Sequence, residues 1–270
     1  MVDLRFKYRS HGVPQLSNAE IEGHVVQLIR DFAPDLLHNP QALDVEMFAE
    51  NYLGLQLDYA DLSHKGFIWG RMVFNNTLMV VWNPETQEAD ERPVDDRTIV
   101  IDNSLLDDGK ERIFRSTVAH ECGHGVYHDE YFCLDTLSSS LGYCTSHVPY
   151  TRCKEGDIVG SLPLPGRKKR FSSDHEWLEH QAKYFSAALL MNKPAMQTLC
   201  HDARTKQFCF DKYPGFENDA LIRLVSDCFN VSVTSAKIRI ETLKLYLPGC
   251  NDNEYSYYNL GTPKYSPVFC

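Results

Sequence analysis

The sequence predicts an α+β fold, in which a small and mostly antiparallel sheet packs on a helical core. Apolar residues recur with a helical period near the N-terminus and again after residue 111. Short runs that are rich in β-branched and aromatic residues cluster between residues 55 and 101. The strand patterns lie together in one part of the chain and helix dominates afterwards, which is typical of the α+β class.

The first helix is predicted over residues 17–33. Ser17 and Glu20 have the spacing of a capping box, and Pro34 follows directly. A second helix is predicted over residues 42–52. Four short strands are then expected, at residues 55–59, 67–74, 77–82 and 98–101.

Later helices are predicted over residues 111–128, 174–191, 218–229 and 234–245. The last two helices have the pattern of a helix-turn-helix. Their cations, Lys237, Arg239 and Lys244, are too few for a DNA-binding surface, so a helical hairpin that completes the core is favoured. Residues 130–173 are expected to be a long insertion, either with a hairpin at residues 157–164 or as a mobile flap, and residues 248–270 are expected to be an irregular tail.

Composition narrows the class of protein. A chain of 270 residues with 43% hydrophobic residues is long enough to bury a sizeable core. The net charge of −10 disfavours direct binding of nucleic acid, because phosphate binding needs a basic surface. The N-terminus lacks the apolar core of a signal peptide, and no apolar run approaches the roughly 20 residues of a membrane span. Together with nine irregularly spaced cysteines, these features predict a cytoplasmic protein with reduced thiols.

The segment TVAHECGHGVYH, residues 117–128, carries a pattern with metal-binding chemistry. His120 and His124 are four residues apart, so on a helix their imidazoles face the same side. Glu121 points about 100° further around the helix and can reach a water at the metal without being a ligand. This is the H-E-x-x-H arrangement, and zinc suits two imidazoles and one carboxylate. A buried, hydrogen-bonded histidine pair is the alternative without a metal.

A third ligand is required. His128 would lie about 12 Å along the helix axis from His120, so a supporting role is favoured for it over a ligand role. Glu176 and Glu179 on the helix over residues 174–191 are the better candidates. Glu179 directly precedes the small and apolar face of that helix and can point inward, whereas Glu176 fits a solvated acidic face.

Other features have weaker signals. Cys133, Cys144 and Cys153 could form a second zinc site with His147, but they lack C-x-x-C spacing and reduced loop thiols are favoured. The basic run GRKKR, residues 166–170, fits a solvated loop.

A hydrogen-bond donor beside the metal is also needed for transition-state stabilisation. The candidates near in sequence are Tyr127, His128, His175, His180 and Tyr184.

Three segments, in this order, resemble the ImmA/IrrE family of metallopeptidases. TVAHECGHGVYH resembles the family's T-L-A-H-E-L-G-H-x-x-x-H segment. EHQAKYFSAALLM resembles its E-x-E-A-N-x-F-A-A-x-L-L-M segment, and FNVSVTSAKIRIETL resembles its F-G-V-S-x-x-A-x-x-x-R-L-x-x-L ending. The resemblance covers a metallopeptidase-like domain over residues 17–247.

The resemblance implies a zinc endopeptidase with His120, His124 and Glu179 as ligands and Glu121 as general base. It also implies a protein substrate, a helix-turn-helix transcriptional repressor. The chain departs from the family at Lys183, where Asn or Asp is usual, and in the length of the insertion. The alternative function is a non-catalytic, metal-stabilised binding protein or toxin–antitoxin component that sequesters a repressor.

Overall fold

The computed structural model describes residues 2–9, 12–132, 150–154, 171, 173–205 and 214–245. Several predictions fall outside these residues. They concern Cys133, Cys144, His147, the basic run at 166–170 and the tail at 248–270.

The N-terminal helices form close to their predicted positions. Helix α1 covers Asn18–Phe32, and the predicted capping box is present: Ser17 accepts from the Glu20 backbone, while its own N–H donates to the Glu20 carboxylate. Helix α2 covers Val45–Met47 and continues as a π-helical turn, Phe48–Tyr52. The sequence-based start at residue 42 was too early, because Asp44 caps the helix by accepting from the backbone N–H of Met47.

The later helices form near their predicted positions, and the structure contains one further helix that was not predicted. Helix α5, Lys193–Thr205, is not among the predicted helices, because Asn192-Lys193-Pro194 is a typical helix end directly after the helix predicted over residues 174–191. Proline is tolerated in a first helical turn, and the side chain of Asn192 accepts from the backbone N–H of Ala195. The other helices are α3, Glu111–Tyr127; α4, Asp174–Leu190; α6, Pro214–Phe229; and α7, Val233–Leu243.

The described strands form three small sheets rather than the single sheet that was expected. The central sheet has the order β3-β7-β4-β8 and is mixed, because β3 and β7 are parallel. Strands β5 and β6 form a separate antiparallel hairpin, and β6 was missed because its residues are mostly charged. The strands are β1, Lys7–Tyr8; β2, Pro14–Gln15; β3, Gln56–Ala60; β4, Ile68–Val73; β5, Thr77–Asn83; β6, Glu88–Val94; β7, Thr98–Asp102; and β8, Cys153–Lys154.

Helix α3 lies between the central sheet and α4, and this layering positions the candidate site. Buried residues of β4 and β7, of α3 and of α4 belong to one hydrophobic cluster. At Gly123, a Cβ would lie 3.0 Å from the Cα of Ala182, so glycine lets the backbones of α3 and α4 approach closely. Val13 and Leu16, which precede the predicted domain boundary at residue 17, are also buried.

Two arginine side chains join the C-terminal helices α6 and α7 to the rest of the core. Arg115 of α3 donates to the backbone carbonyls of Phe229 and Asn230. Arg239 of α7 is fully buried and forms a bidentate ion pair with Glu22 of α1, so it is not available to a nucleic acid. In the part of the chain that the structure describes, no helix combines the length and apolar character that a membrane span needs.

Candidate metal centre

Two helices bring three potential ligands together. His120 and His124 lie one turn apart on α3, with their Nε2 atoms 3.1 Å apart. Glu179 of α4 faces both rings: Oε2 lies 3.4 Å from Nε2 of His120, and Oε1 lies 3.5 Å from Nε2 of His124. These three residues form a buried group that could hold a metal ion. Among the described residues, Glu176 belongs to no such group.

The dimensions of the group fit a metal ion. Two donor atoms at about 2.0–2.1 Å from a tetrahedral zinc ion are about 3.3 Å apart. The observed separations of 3.1, 3.4 and 3.5 Å scatter around that value. Within the described chain, neither oxygen of the Glu179 carboxylate has a hydrogen-bond partner, and both are buried. A buried carboxylate in this state is costly unless a cation neutralises it.

The electrostatics of Glu179 agree with a cation-binding role. Burial alone raises the pKa of its carboxyl group, but the neighbouring rings of His124 and His120 outweigh burial and hold the pKa well below its usual range. That lowering depends on protons carried by the two rings. If His124 is neutral, a bound cation would have to supply the positive charge beside the carboxylate.

A buried hydrogen-bond relay sets the tautomer of His124. The Gln181 amide donates to the carbonyl of Pro14 at 2.8 Å, which leaves Oε1 to accept from Nε2 of His128 at 3.0 Å. Burial lowers the pKa of His128 well below its usual value, so its ring is neutral and Nδ1 is an acceptor. That atom lies 2.8 Å from Nδ1 of His124 and accepts its proton. His124 consequently presents the lone pair of Nε2 to the other ligands.

The relay gives His128 the supporting role that its spacing predicted, and it adds Gln181, which sequence reasoning missed. Ligand histidines are usually oriented through their second ring nitrogen. Here the second ring nitrogen of His124 is bonded to His128, and Gln181 in turn holds His128. The available signal was a polar residue on the buried face of α4, beside Ala182 and Phe185.

Glu121 lies on the side of α3 that faces the sheet and is fully buried. Its Oε2 accepts from the hydroxyl of Thr151 at 2.7 Å, and its Oε1 has no hydrogen-bond partner within the described ranges. At Gly70 of β4, a Cβ would lie 3.1 Å from that Oε1, so the strand passes directly against the carboxylate. Burial raises the pKa of Glu121, opposed by the rings of His124 and His120 and by the Thr151 hydroxyl.

Of the three cysteines expected as reduced loop thiols, Cys153 lies within the described ranges. It is a free cysteine, but it belongs to strand β8 rather than to a loop. It is fully buried and forms a group with His120 and Glu121 whose potential ligand atoms lie within 4.8 Å of one another. Cys153 is thus beside the histidine–glutamate group and shares His120 with it.

The five side chains considered as hydrogen-bond donors to the transition state differ in their contacts and exposure. Tyr127 contacts His24, Tyr184 donates to Glu22, and His180 contacts Asn18, so the bonds of these side chains are to residues outside the candidate metal group. His128 is part of the relay behind His124. His175 remains: its side chain is 72% exposed, and its Nδ1 lies 3.8 Å from Oε1 of Glu179.

No protein-family model matches the chain, and no curated protein sequence matches it.

Proposed function

We propose that the protein is a zinc-dependent endopeptidase of the ImmA/IrrE type. The observation that carries the proposal is the position of Glu121. It follows His120 directly, does not belong to the group of His120, His124 and Glu179, and keeps one buried carboxylate oxygen without a hydrogen bond among the described residues. A purely structural metal site needs ligands but no such carboxylate, whereas hydrolysis needs a general base.

The donor set favours zinc. His120, His124 and Glu179 would hold the ion, since two imidazoles and one carboxylate with an open fourth position are typical of catalytic zinc. When bound, zinc supplies Lewis acidity, which polarises the substrate carbonyl and lowers the pKa of water.

The remaining chemistry belongs to side chains of this chain. Glu121 takes a proton from the attacking water and passes it to the leaving amine. His175, which lies near Glu179 and is open to solvent, donates to the carbonyl oxygen as negative charge develops there. The relay of His128 and Gln181 keeps His124 in the tautomer that a ligand requires.

The substrate proposed is a helix-turn-helix transcriptional repressor, encountered in the cytoplasm. Support for this substrate comes from the resemblance to the ImmA/IrrE segments. The acidic chain and the buried Arg239 favour a protein partner over direct contact with DNA.

One observation favours a second candidate function. His120 and His124 are each 1% exposed and Glu121 is 0% exposed, so the group is closed to a peptide in the described conformation. A non-catalytic protein that uses the metal for stability and sequesters a repressor would have such a closed site.

The variant Glu121→Gln separates the two candidates. It keeps the size of the side chain and leaves the three ligands in place, so metal content should be unchanged. Hydrolysis should fall by roughly 10²–10⁴-fold, the usual contribution of a general base. Glu111→Gln, at the exposed start of the same helix, is the matched control and should cleave like wild type.

The measurement has two parts. Immobilised Glu121→Gln protein captures its target, and mass spectrometry then compares that target after incubation with wild-type, Glu121→Gln and Glu111→Gln proteins. We expect a helix-turn-helix repressor that only wild type and Glu111→Gln cut. Binding of the repressor by wild type with every peptide bond left intact would favour the sequestering protein instead.

A further inference from the structure

Residues 150–154 lie as an extended segment along the outer edge of β4, the strand that passes over Glu121. One edge of β4 pairs with β7, and the other is covered by this segment. The pairing is antiparallel, with Val73 opposite Tyr150, Gly70 opposite Cys153 and an irregularity in register before Lys154.

Thr151 occupies both backbone hydrogen-bonding groups of Met72 at this edge. Its backbone N–H donates to the carbonyl of Met72 at 3.1 Å. Its hydroxyl accepts from the backbone N–H of Met72 at 2.7 Å and donates to Oε2 of Glu121 at 2.7 Å. One residue therefore satisfies a donor and an acceptor of the strand edge and also covers the proposed general base.

An exposed strand edge is a common binding place for extended peptides, because its backbone groups pair with those of the incoming chain. A peptide that used β4 in this way would need both backbone groups of Met72, which are already bonded to Thr151. The segment and such a peptide are mutually exclusive at Met72.

We propose that residues 150–154 act as a built-in competitor, which holds the edge of β4 and the Glu121 carboxylate until a substrate strand replaces it. This inference rests on the proposed peptidase function. It accounts for a proposed general base, Glu121, that is fully buried and hydrogen-bonded to Thr151 of this segment.

The pairing of this segment is suited to exchange. Strand β8 has only two residues, and its register against β4 is irregular, whereas β4 and β7 pair regularly over four residue pairs. Short and irregular pairing contributes few ladder hydrogen bonds, so its loss leaves the rest of the sheet intact.

A reversible disulfide between Val73→Cys and Tyr150→Cys would test the exchange. Residues directly opposite in an antiparallel pair have Cα atoms about 4.5–5.5 Å apart, within the range of a disulfide. The same protein is compared in its oxidised and reduced forms, so any cost of the two substitutions is common to both. Mass spectrometry verifies the intended bond among the native cysteines, and Val73→Cys alone is the control.

The readout is the rate at which 1,10-phenanthroline removes zinc from the loaded protein, which does not require peptide cleavage. If the segment detaches, the oxidised form should release zinc at least about tenfold more slowly than the reduced form, because opening is blocked. Equal rates would overturn the inference. Hydrolysis of the captured repressor by the reduced form reports separately on the proposed peptidase function.

A second variant covers the case in which the double substitution does not fold. Thr151→Val keeps the shape of the side chain but removes the hydroxyl that bonds Met72 and Glu121. It should release zinc faster than wild type, whereas Arg152→Ala, an exposed change in the same segment, should match wild type. A Thr151→Val rate equal to that of wild type would contradict the inference.

Discussion

The two sides of the candidate site are built differently. On the helical side, α3 and α4 supply His120, His124 and Glu179, and a buried relay supports His124. On the sheet side, Glu121 contacts the edge of β4 and a two-residue strand, β8, completes that edge. The group that could hold a metal is therefore fixed by the core, whereas the side that we propose meets a substrate is held by a short strand and few hydrogen bonds.

The largest expected effect is the loss of zinc when a proposed ligand on the helical side is removed. Glu179→Ala removes a carboxylate that faces both histidines, so the protein should lose its stoichiometric zinc. Glu176→Ala, one turn earlier on the same helix and outside the group, should keep it. Elemental analysis after mild chelation measures both variants. Metal retained by Glu179→Ala and lost by Glu176→Ala would reverse the assignment.

A smaller effect is expected on zinc affinity when the relay behind His124 is disrupted. Gln181→Leu removes the acceptor that orients His128, so His124 loses its fixed tautomer and zinc affinity should fall about 10–100-fold. Lys183→Ala, at the position where the family pattern places Asn or Asp, should change affinity little. Competition with a chromogenic zinc chelator gives both values. A weaker affinity in Lys183→Ala than in Gln181→Leu would refute the relay.

The smallest effect tests the contact between α3 and the sheet. At Gly70, a Cβ would lie 2.6 Å from Cγ2 of Thr117, so Gly70→Ala should lower the free energy of unfolding by about 1–3 kcal/mol. At Gly23 in α1, nothing lies within 4 Å of an added Cβ. Gly23→Ala should therefore raise the free energy of unfolding by about 0.5–1 kcal/mol, because glycine is a poor helix former. Urea unfolding curves compare them, and equal shifts would count against the tight α3–β4 contact.

The helical side could be predicted because its information is local. His120 and His124 are one turn apart, so a helix brings their rings together whatever the rest of the fold does. Glu179 follows from the apolar face of α4, which must pack inward and carries the adjacent carboxylate with it. The capping box at Ser17 is local in the same way.

The sheet side could not be predicted because its contacts join distant residues. Thr151 bonds to Glu121 across 30 positions and to Met72 across 79 positions, and no periodicity encodes such pairs. The parallel pairing of β3 with β7 likewise depends on how intervening strands leave the central sheet. Charged strand β6 is stabilised by its partner β5 rather than by an apolar pattern of its own.

Zinc titration of the metal-free protein tests whether α3 and α4 together hold one zinc ion, as we propose. Isothermal calorimetry should give about one zinc ion per chain for wild type, as expected for one catalytic site. The double variant His120→Ala, His124→Ala removes both imidazoles and should give no binding of comparable affinity. If the double variant binds one zinc ion as tightly as wild type, the ion is held elsewhere and the account is wrong.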